Sequence, residues 1–218
     1  MPSLGGRMEI AMENYSKWLE NEIERFRAEG VRPKLLLQAC CAPCSSYTLE
    51  YIASFFDITL FFYNPNISPE SEYDFRASEL ARFISKHPAC SEVKLQICEY
   101  NNAPFLEIAK GLEAAPEGGE RCMKCYRLRL EETAKAAKDG GYDYFCTTLS
   151  ISPHKNAEAL NSFGKELAGK YGVNYLFSDF KKKGGYARSI ELSKEYGLYR
   201  QDYCGCAYSK AEAERRKK

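Results

Sequence analysis

Lys34-Leu35-Leu36-Leu37-Gln38-Ala39-Cys40-Cys41-Ala42-Pro43-Cys44 is a short apolar run that ends abruptly in three cysteines and a proline. Four to six apolar residues without helical spacing read as a buried strand. Gly30 and Pro33 precede it and close an amphipathic helix expected over residues 8–29, where Ile10, Tyr15, Trp18, Leu19, Ile23 and Phe26 recur at helical intervals. A helix follows the cysteines, from about Ser45 to Ser54. The rhythm then repeats. Strands are expected at Ile58–Tyr63, Val93–Cys98, Tyr144–Thr148 and Asn174–Phe177, with helices at 71–86, 122–139, 155–171 and 185–196. Alternating strands and helices predict one α/β domain over residues 1–218, a parallel sheet covered on both faces. Ligands of such folds bind at the carboxyl ends of the strands. Cys40–Cys44, Asn64–Asn66, Thr147–Ser150 and Ser178–Lys183 all follow strands directly, so they are expected around one rim.

Charge is nearly balanced, 31 basic against 30 acidic residues, so net charge makes no case for a nucleic-acid partner. Two local runs, Lys181-Lys182-Lys183 and Arg215-Arg216-Lys217-Lys218, read at this level as a solvated loop and a frayed basic tail. Arg7, Glu9 and Glu13 interrupt any apolar signal core, and no apolar run reaches the ~18 residues of a membrane span. A cytoplasmic, membrane-free protein is expected. In that reducing compartment ten cysteines argue for metal, cluster or redox chemistry rather than a disulfide framework. Cys90, Cys98 and Cys146 stand outside the groups, and the last two lie in apolar segments expected to bury them.

The grouped cysteines carry the chemistry. Thiolates suit iron–sulfur clusters and zinc alike. Adjacent Cys40 and Cys41 chelate a single tetrahedral ion awkwardly but reach two irons of one cluster. Cys122 and Cys125, three apart at a helix start, share one face. Zinc held by Cys41, Cys44, Cys122 and Cys125 remains open, and so does a thioredoxin-like pair in Cys41-Ala42-Pro43-Cys44. A radical adenosylmethionine site lacks its third cysteine, because residue 47 is tyrosine. The Ser/Gly-rich phosphate loop of adenylating α/β enzymes is replaced by cysteines and Pro43. Near the end, Cys204-Gly205-Cys206 forms either a strained, labile disulfide or two thiolate ligands.

Six blocks in order carry a family resemblance: Ala39–Ser45, Glu120–Leu130, Thr147–Lys155, Asp179–Tyr186, Arg188–Leu192 and Tyr199–Cys206. In these the chain resembles the cobalamin-independent epoxyqueuosine reductases, the QueH family. The resemblance implies reduction of epoxyqueuosine to queuosine at the tRNA wobble position and an external electron donor. It implies a Rossmann-like fold of the nucleotide-hydrolase (HUP) type with a C-terminal cysteine-containing segment. It also implies a [4Fe–4S] cluster on Cys40, Cys41, Cys122 and Cys125, a redox-active pair in Cys204 and Cys206, and a possible second, mononuclear metal, iron or zinc. Gln38 departs from the histidine that many members carry there.

Deoxygenating an epoxide takes two electrons and two protons and leaves an alkene and water. For the second metal, Cys44 is the leading spare ligand and Asp179 a partner; the dithiol Cys204/Cys206 is the alternative two-electron source. Tyr203, Tyr186, Asp202 and His154 are candidate proton donors. With a tRNA substrate, Lys155, Lys181, Lys182, Lys183, Arg127 and Arg129 become expected phosphate contacts, and Tyr186 and Tyr203 expected stacking platforms. The competing class is a zinc-stabilised nucleic-acid-binding module without redox function.

Overall fold

The computed structural model of the protein describes residues 14–217; the part of the expected first helix that precedes them, Ile10 included, lies outside this range. Helix α1, Tyr15–Glu29, is capped by the Asn14 side chain, which accepts from the Lys17 amide, and closes on left-handed Gly30. Strand β1, Lys34–Gln38, leads to helix α2, Ala42–Ile52. Helix α2 starts three residues earlier than expected. Extended Cys41 caps it, and Pro43 sits in the first turn, where no backbone N–H needs a partner. Then follow β2 (Asp57–Phe62), α3 (Glu70–Lys86) and β3 (Lys94–Ile97). After these come α4 (Ala103–Ala109), α5 (Glu120–Asp139), β4 (Tyr144–Thr147) and α6 (Ala157–Tyr171). The chain closes with β5 (Asn174–Tyr175), α7 (Gly185–Glu195) and α8 (Ala207–Arg216).

All five strands are parallel, in the order β3-β2-β1-β4-β5. Leu36 of β1 is in register with Thr59 on one side and Phe145 on the other. Alternate strand residues feed two cores. Leu35, Leu37, Ile58, Leu60 and Phe62 pack with α1, α2 and α3, whereas Leu36, Phe61 and Phe145 pack with α5 and α6. Chain order runs outward from β1 in both directions, which makes the gap between the carboxyl ends of β1 and β4 the topological switch point, where such sheets open a crevice. Among the described residues no helix is long and apolar enough to cross a membrane.

Two helices lie where the sequence analysis placed none. The expected frayed tail is helix α8. It is rich in good helix formers, and its first turn is capped by Cys206, whose Sγ accepts from the Ser209 amide at 3.3 Å. Lys217 reaches back to Asp202 at 2.5 Å and Arg216 lies 3.8 Å from Glu117, so the basic end folds against the body. The other is α4, before the loop that leads into α5.

The segment before α8 is pinned to the start of α3. Ser68 N–H donates to the Gly205 carbonyl, and the buried Arg76 donates to the Cys204 carbonyl, both at 3.0 Å. Gly205 has φ +126°, and a Cβ there would lie 3.0 Å from Ile67 Cγ1 and 3.1 Å from Arg76 Nη1. Gly205→Ala is therefore expected to strain this junction by ~1–3 kcal/mol. The Ser68 amide should exchange with solvent faster in this variant; unchanged protection would show that residues 203–206 are not held by this docking.

Candidate metal centre

Cys40 and Cys41 leave the end of β1 at the switch point, and Cys44 lies on the first turn of α2. Their sulfurs all lie within 4.8 Å of one another. Cys40 Sγ is 3.8 Å from Cys41 Sγ and 3.7 Å from Thr148 Oγ1, at the tip of β4. Zinc–sulfur bonds of ~2.3 Å place two tetrahedral ligands about 3.8 Å apart, which is the Cys40–Cys41 separation, and Cys44 lies within 4.8 Å of both. Three thiols this close cannot all ionise alone. Hydrogen bonds from Cys40 and Cys44 hold the Cys41 thiol low, donation to Cys41 pushes Cys40 up to about 11, and hydrogen bonds to Cys40 and then Cys41 keep Cys44 high.

The second group comes from α5. Cys122, Cys125 and Arg129 recur at three and four residues and therefore occupy one face of the helix. Both thiols are buried. Burial pushes Cys125 up to about 12 and raises Cys122 as well; Cys204 and Cys206 are electrostatic neighbours of both. Seven of the ten cysteines thus gather between the tips of β1 and β4, the start of α5 and the start of α8.

Three buried cations stand among them. Arg76, 2% exposed, pairs with Glu72 at 2.7 Å, lies beside Cys41 and has its guanidinium 5.2 Å from the centre of the Tyr203 ring. Lys155, 7% exposed, pairs with Glu117 at 3.2 Å. Burial alone lowers its pKa, but Cys204, Tyr126 and Glu117 outweigh that and carry it upward. Arg129, 1% exposed, neighbours Cys125, Cys40 and Cys204. Arg129 Nε, Arg76 Nη2 and the Tyr126 hydroxyl are buried without hydrogen-bond partners. Buried cations with unspent donors fit an anionic, thiolate-ligated group, because an uncompensated buried charge costs several kcal/mol. On that test the residues fit an iron–sulfur cluster or another thiolate-bound metal.

A cavity of about 450 Å³ opens onto Cys40, Cys41 and Cys44 and is walled by Leu149, Tyr186 and Tyr203. Asp202 and Cys204 line it as well, while Cys206 stays buried behind its helix cap. The hydrogen bond from Lys217 holds the exposed Asp202 carboxyl below its usual range, which opposes its use as a proton donor. Burial pushes the Tyr203 hydroxyl up to about 12, which keeps it protonated.

Several expected site residues lie elsewhere. Ser178 reaches the rim, donating or accepting with Ser150 at 3.4 Å, but the chain then turns away as Phe180 buries into the α1–α2 core. Asp179 consequently lines a separate small cavity with Ser16, Tyr47 and Tyr51, and its carboxylate accepts from Lys181 at 2.7 Å. The geometry does not bring it to Cys44. Lys183 pairs with Glu20 of α1, so the 181–183 run sits over that helix instead of the thiol cavity. Arg127 faces outward and grips Glu166 of α6 with both nitrogens. Arg129 is buried among the thiols outside the cavity wall, and Lys155, which does reach that wall, is 7% exposed and paired with Glu117. Besides Arg76 and Lys155, the cavity is lined by the basic residues His154, Arg200 and Arg216. Arg76, Tyr126 and Glu117 were missed, since a lone arginine, tyrosine or glutamate carries no signal until the fold gathers it; Glu117 alone had a hint, three residues before a cysteine helix.

The chain is similar in sequence to known proteins over most of its length. Residues 35–212 match the family model described as epoxyqueuosine reductase QueH. The chain is 46% identical over 200 residues to an epoxyqueuosine reductase QueH of Staphylococcus epidermidis, an alignment covering 90% of this chain and 84% of that one. It is 44% identical over 198 residues to that of Streptococcus pyogenes, covering 90% and 78%. The Thermotoga maritima relative is 37% identical over 181 residues, covering 82% and 91%. With a thiol-lined crevice at the switch point and a family match spanning the sheet and both cysteine groups, the chain belongs to the QueH family of epoxyqueuosine reductases.

Proposed function

We propose that the protein reduces epoxyqueuosine to queuosine in tRNA, through a [4Fe–4S] cluster on Cys40, Cys41, Cys122 and Cys125, with electrons from an external donor. The observation that carries this reading is the meeting of seven cysteines and three buried cations at one crevice. The HUP-type assignment of the sheet, a cytoplasmic location and the single-domain reading of residues 1–218 belong to the same proposal; the strand order supports the first.

The overall conversion consumes two electrons and two protons, cleaves both C–O bonds of the epoxide, and releases water and an alkene. A bound cluster supplies electrons one at a time. The protein's residues do the rest. Tyr186 and Tyr203 wall the cavity and offer faces on which a splayed anticodon base stacks. Tyr203, kept protonated, is the proton donor we favour over Asp202, which is ion-paired and ionised. Cys44, within reach of Cys40 and Cys41, is the thiol left for a second, mononuclear metal, iron or zinc. Asp179 lines a different cavity, so the metal's oxygen partner comes from the carboxylates that line this one, Glu117, Asp202 and Glu212, of which Glu117 is far less exposed than Asp202. The phosphate contacts move from Lys155, Arg127, Arg129 and the 181–183 lysines to His154, Arg200 and Arg216 at the cavity. A zinc-stabilised binding module has one observation in its favour, the tight spacing of the Cys40, Cys41 and Cys44 sulfurs.

Protein purified without air should be brown and hold about four irons and four sulfides per chain. It should also convert epoxyqueuosine in tRNA when given a reductant. A colourless zinc protein supports the module instead, and a full cluster without conversion sinks the substrate assignment. The paired change Cys204→Ser with Cys206→Ser separates the two electron sources: single-turnover reduction is expected to be unchanged when the external donor feeds the cluster, and a loss of about tenfold makes the dithiol the source. Arg200→Glu and Arg216→Glu should each weaken tRNA binding and flatten its salt dependence by about one phosphate contact. The same charge reversals at Lys182 and Lys183 should do neither, and an effect there restores the basic loop as the contact surface.

A further inference from the structure

We infer that Arg129 is a positioning residue that sets the reduction potential of the thiolate-bound group, and that Gln38 and Asn64 exist to hold it in place. This rests on the cluster reading above and goes beyond it.

The two other buried cations beside the thiols each have a carboxylate, Glu72 for Arg76 and Glu117 for Lys155. Among the described residues no carboxylate pairs with Arg129. Its partner is neutral: Arg129 Nη2 donates to Asn64 Oδ1 at 2.5 Å. Asn64 is fixed in turn from two sides. Its own amide donates to the Ala39 carbonyl at 2.9 Å, and its Oδ1 also accepts from Gln38 Nε2 at 3.2 Å. Gln38 Oε1 accepts from Thr147 Oγ1 at 2.8 Å. The tips of β1, β2 and β4 thereby clamp one guanidinium, and Gln38, Asn64 and Thr147 are all buried at 1% exposure or less.

A chain of neutral amides adds no negative charge, so the full positive charge of Arg129 is left to the sulfurs. Helix geometry puts it one turn beyond Cys125, and Cys40 is its electrostatic neighbour as well, so its charge acts on both cysteine groups. Local charge and hydrogen bonds to sulfur are the levers by which a protein tunes such a group. A fixed cation favours the form with one more electron and raises the midpoint potential. Gln38 serves the network as donor and acceptor at once.

The test is redox titration of the anaerobically purified holoprotein, with iron and sulfide measured on each sample. Arg129→Met, which keeps length and removes charge, should lower the midpoint by a factor of ten or more in the reduction equilibrium, about 59 mV for one electron. Arg129→Lys keeps the charge and should return most of that loss. A midpoint unchanged in Arg129→Met at full iron and sulfide overturns the inference alone, as does a lysine variant shifted as far as the methionine one. Should Arg129→Met not fold or load, Asn64→Ala decides: the unclamped arginine should still lower the midpoint at least twofold in the same equilibrium, and no shift there overturns the inference. A wild-type protein without iron and sulfide overturns the cluster reading and this one together.

Discussion

Pairing of β1 with β2 on one side and β4 on the other is the constraint on which the site depends. Because β1 lies inside a parallel sheet, its backbone is spent on ladder bonds up to Gln38, and the chain must leave the sheet at Ala39 with its next residues pointing into the crevice. Cys40 and Cys41 occupy that exit. Any slip of one residue would exchange the faces of Leu36 and Leu37 and carry the thiols away from the crevice, so the apolar register and the metal chemistry are enforced by the same contacts.

The polar layer at the strand tips couples fold and site. Gln38, Asn64 and Thr147 are buried side chains from three strand ends, and a polar group sealed from water must find its partners within the protein. They find each other and Arg129. The result adds a charged tie at the strand tips to the apolar packing of α5 on the sheet, on the helix that carries Cys122 and Cys125. The cost of burying Arg129 is offset only if the neighbouring sulfurs are negative, which makes the cation a structural demand for thiolates.

At the other side of the thiols, Arg76 ties Tyr203 and the Cys204 carbonyl to the start of α3. The C-terminal cysteines thus reach the centre through the backbone of residues 203–206, backed by α8. Basic residues that looked alike in sequence separate by this packing. Lys183 and Arg127 are spent on ion pairs at the surface, Arg129 is spent inside, and Lys155, Arg200 and Arg216 reach the cavity wall, where Lys155 and Arg216 both face Glu117.

The sequence by itself determined the alternation of strands and helices, the parallel sheet and the grouping of the cysteines, because apolar periodicity and helix stops are local and survive in one dimension. It also placed Cys40, Thr147 and Asn64 at one rim, since each directly follows a strand. It did not find α8, whose cap is a cysteine and whose polar composition lacks a broad apolar stripe. It gave Asp179 to the wrong neighbourhood, because a residue after a strand reaches the rim only if the chain continues upward, and burial of Phe180 turns it down. Only the tertiary structure decided which of the arginines and lysines face solvent and which face sulfur. Charge is visible in a sequence, but the identity of its neighbour is set by contacts between elements far apart in the chain.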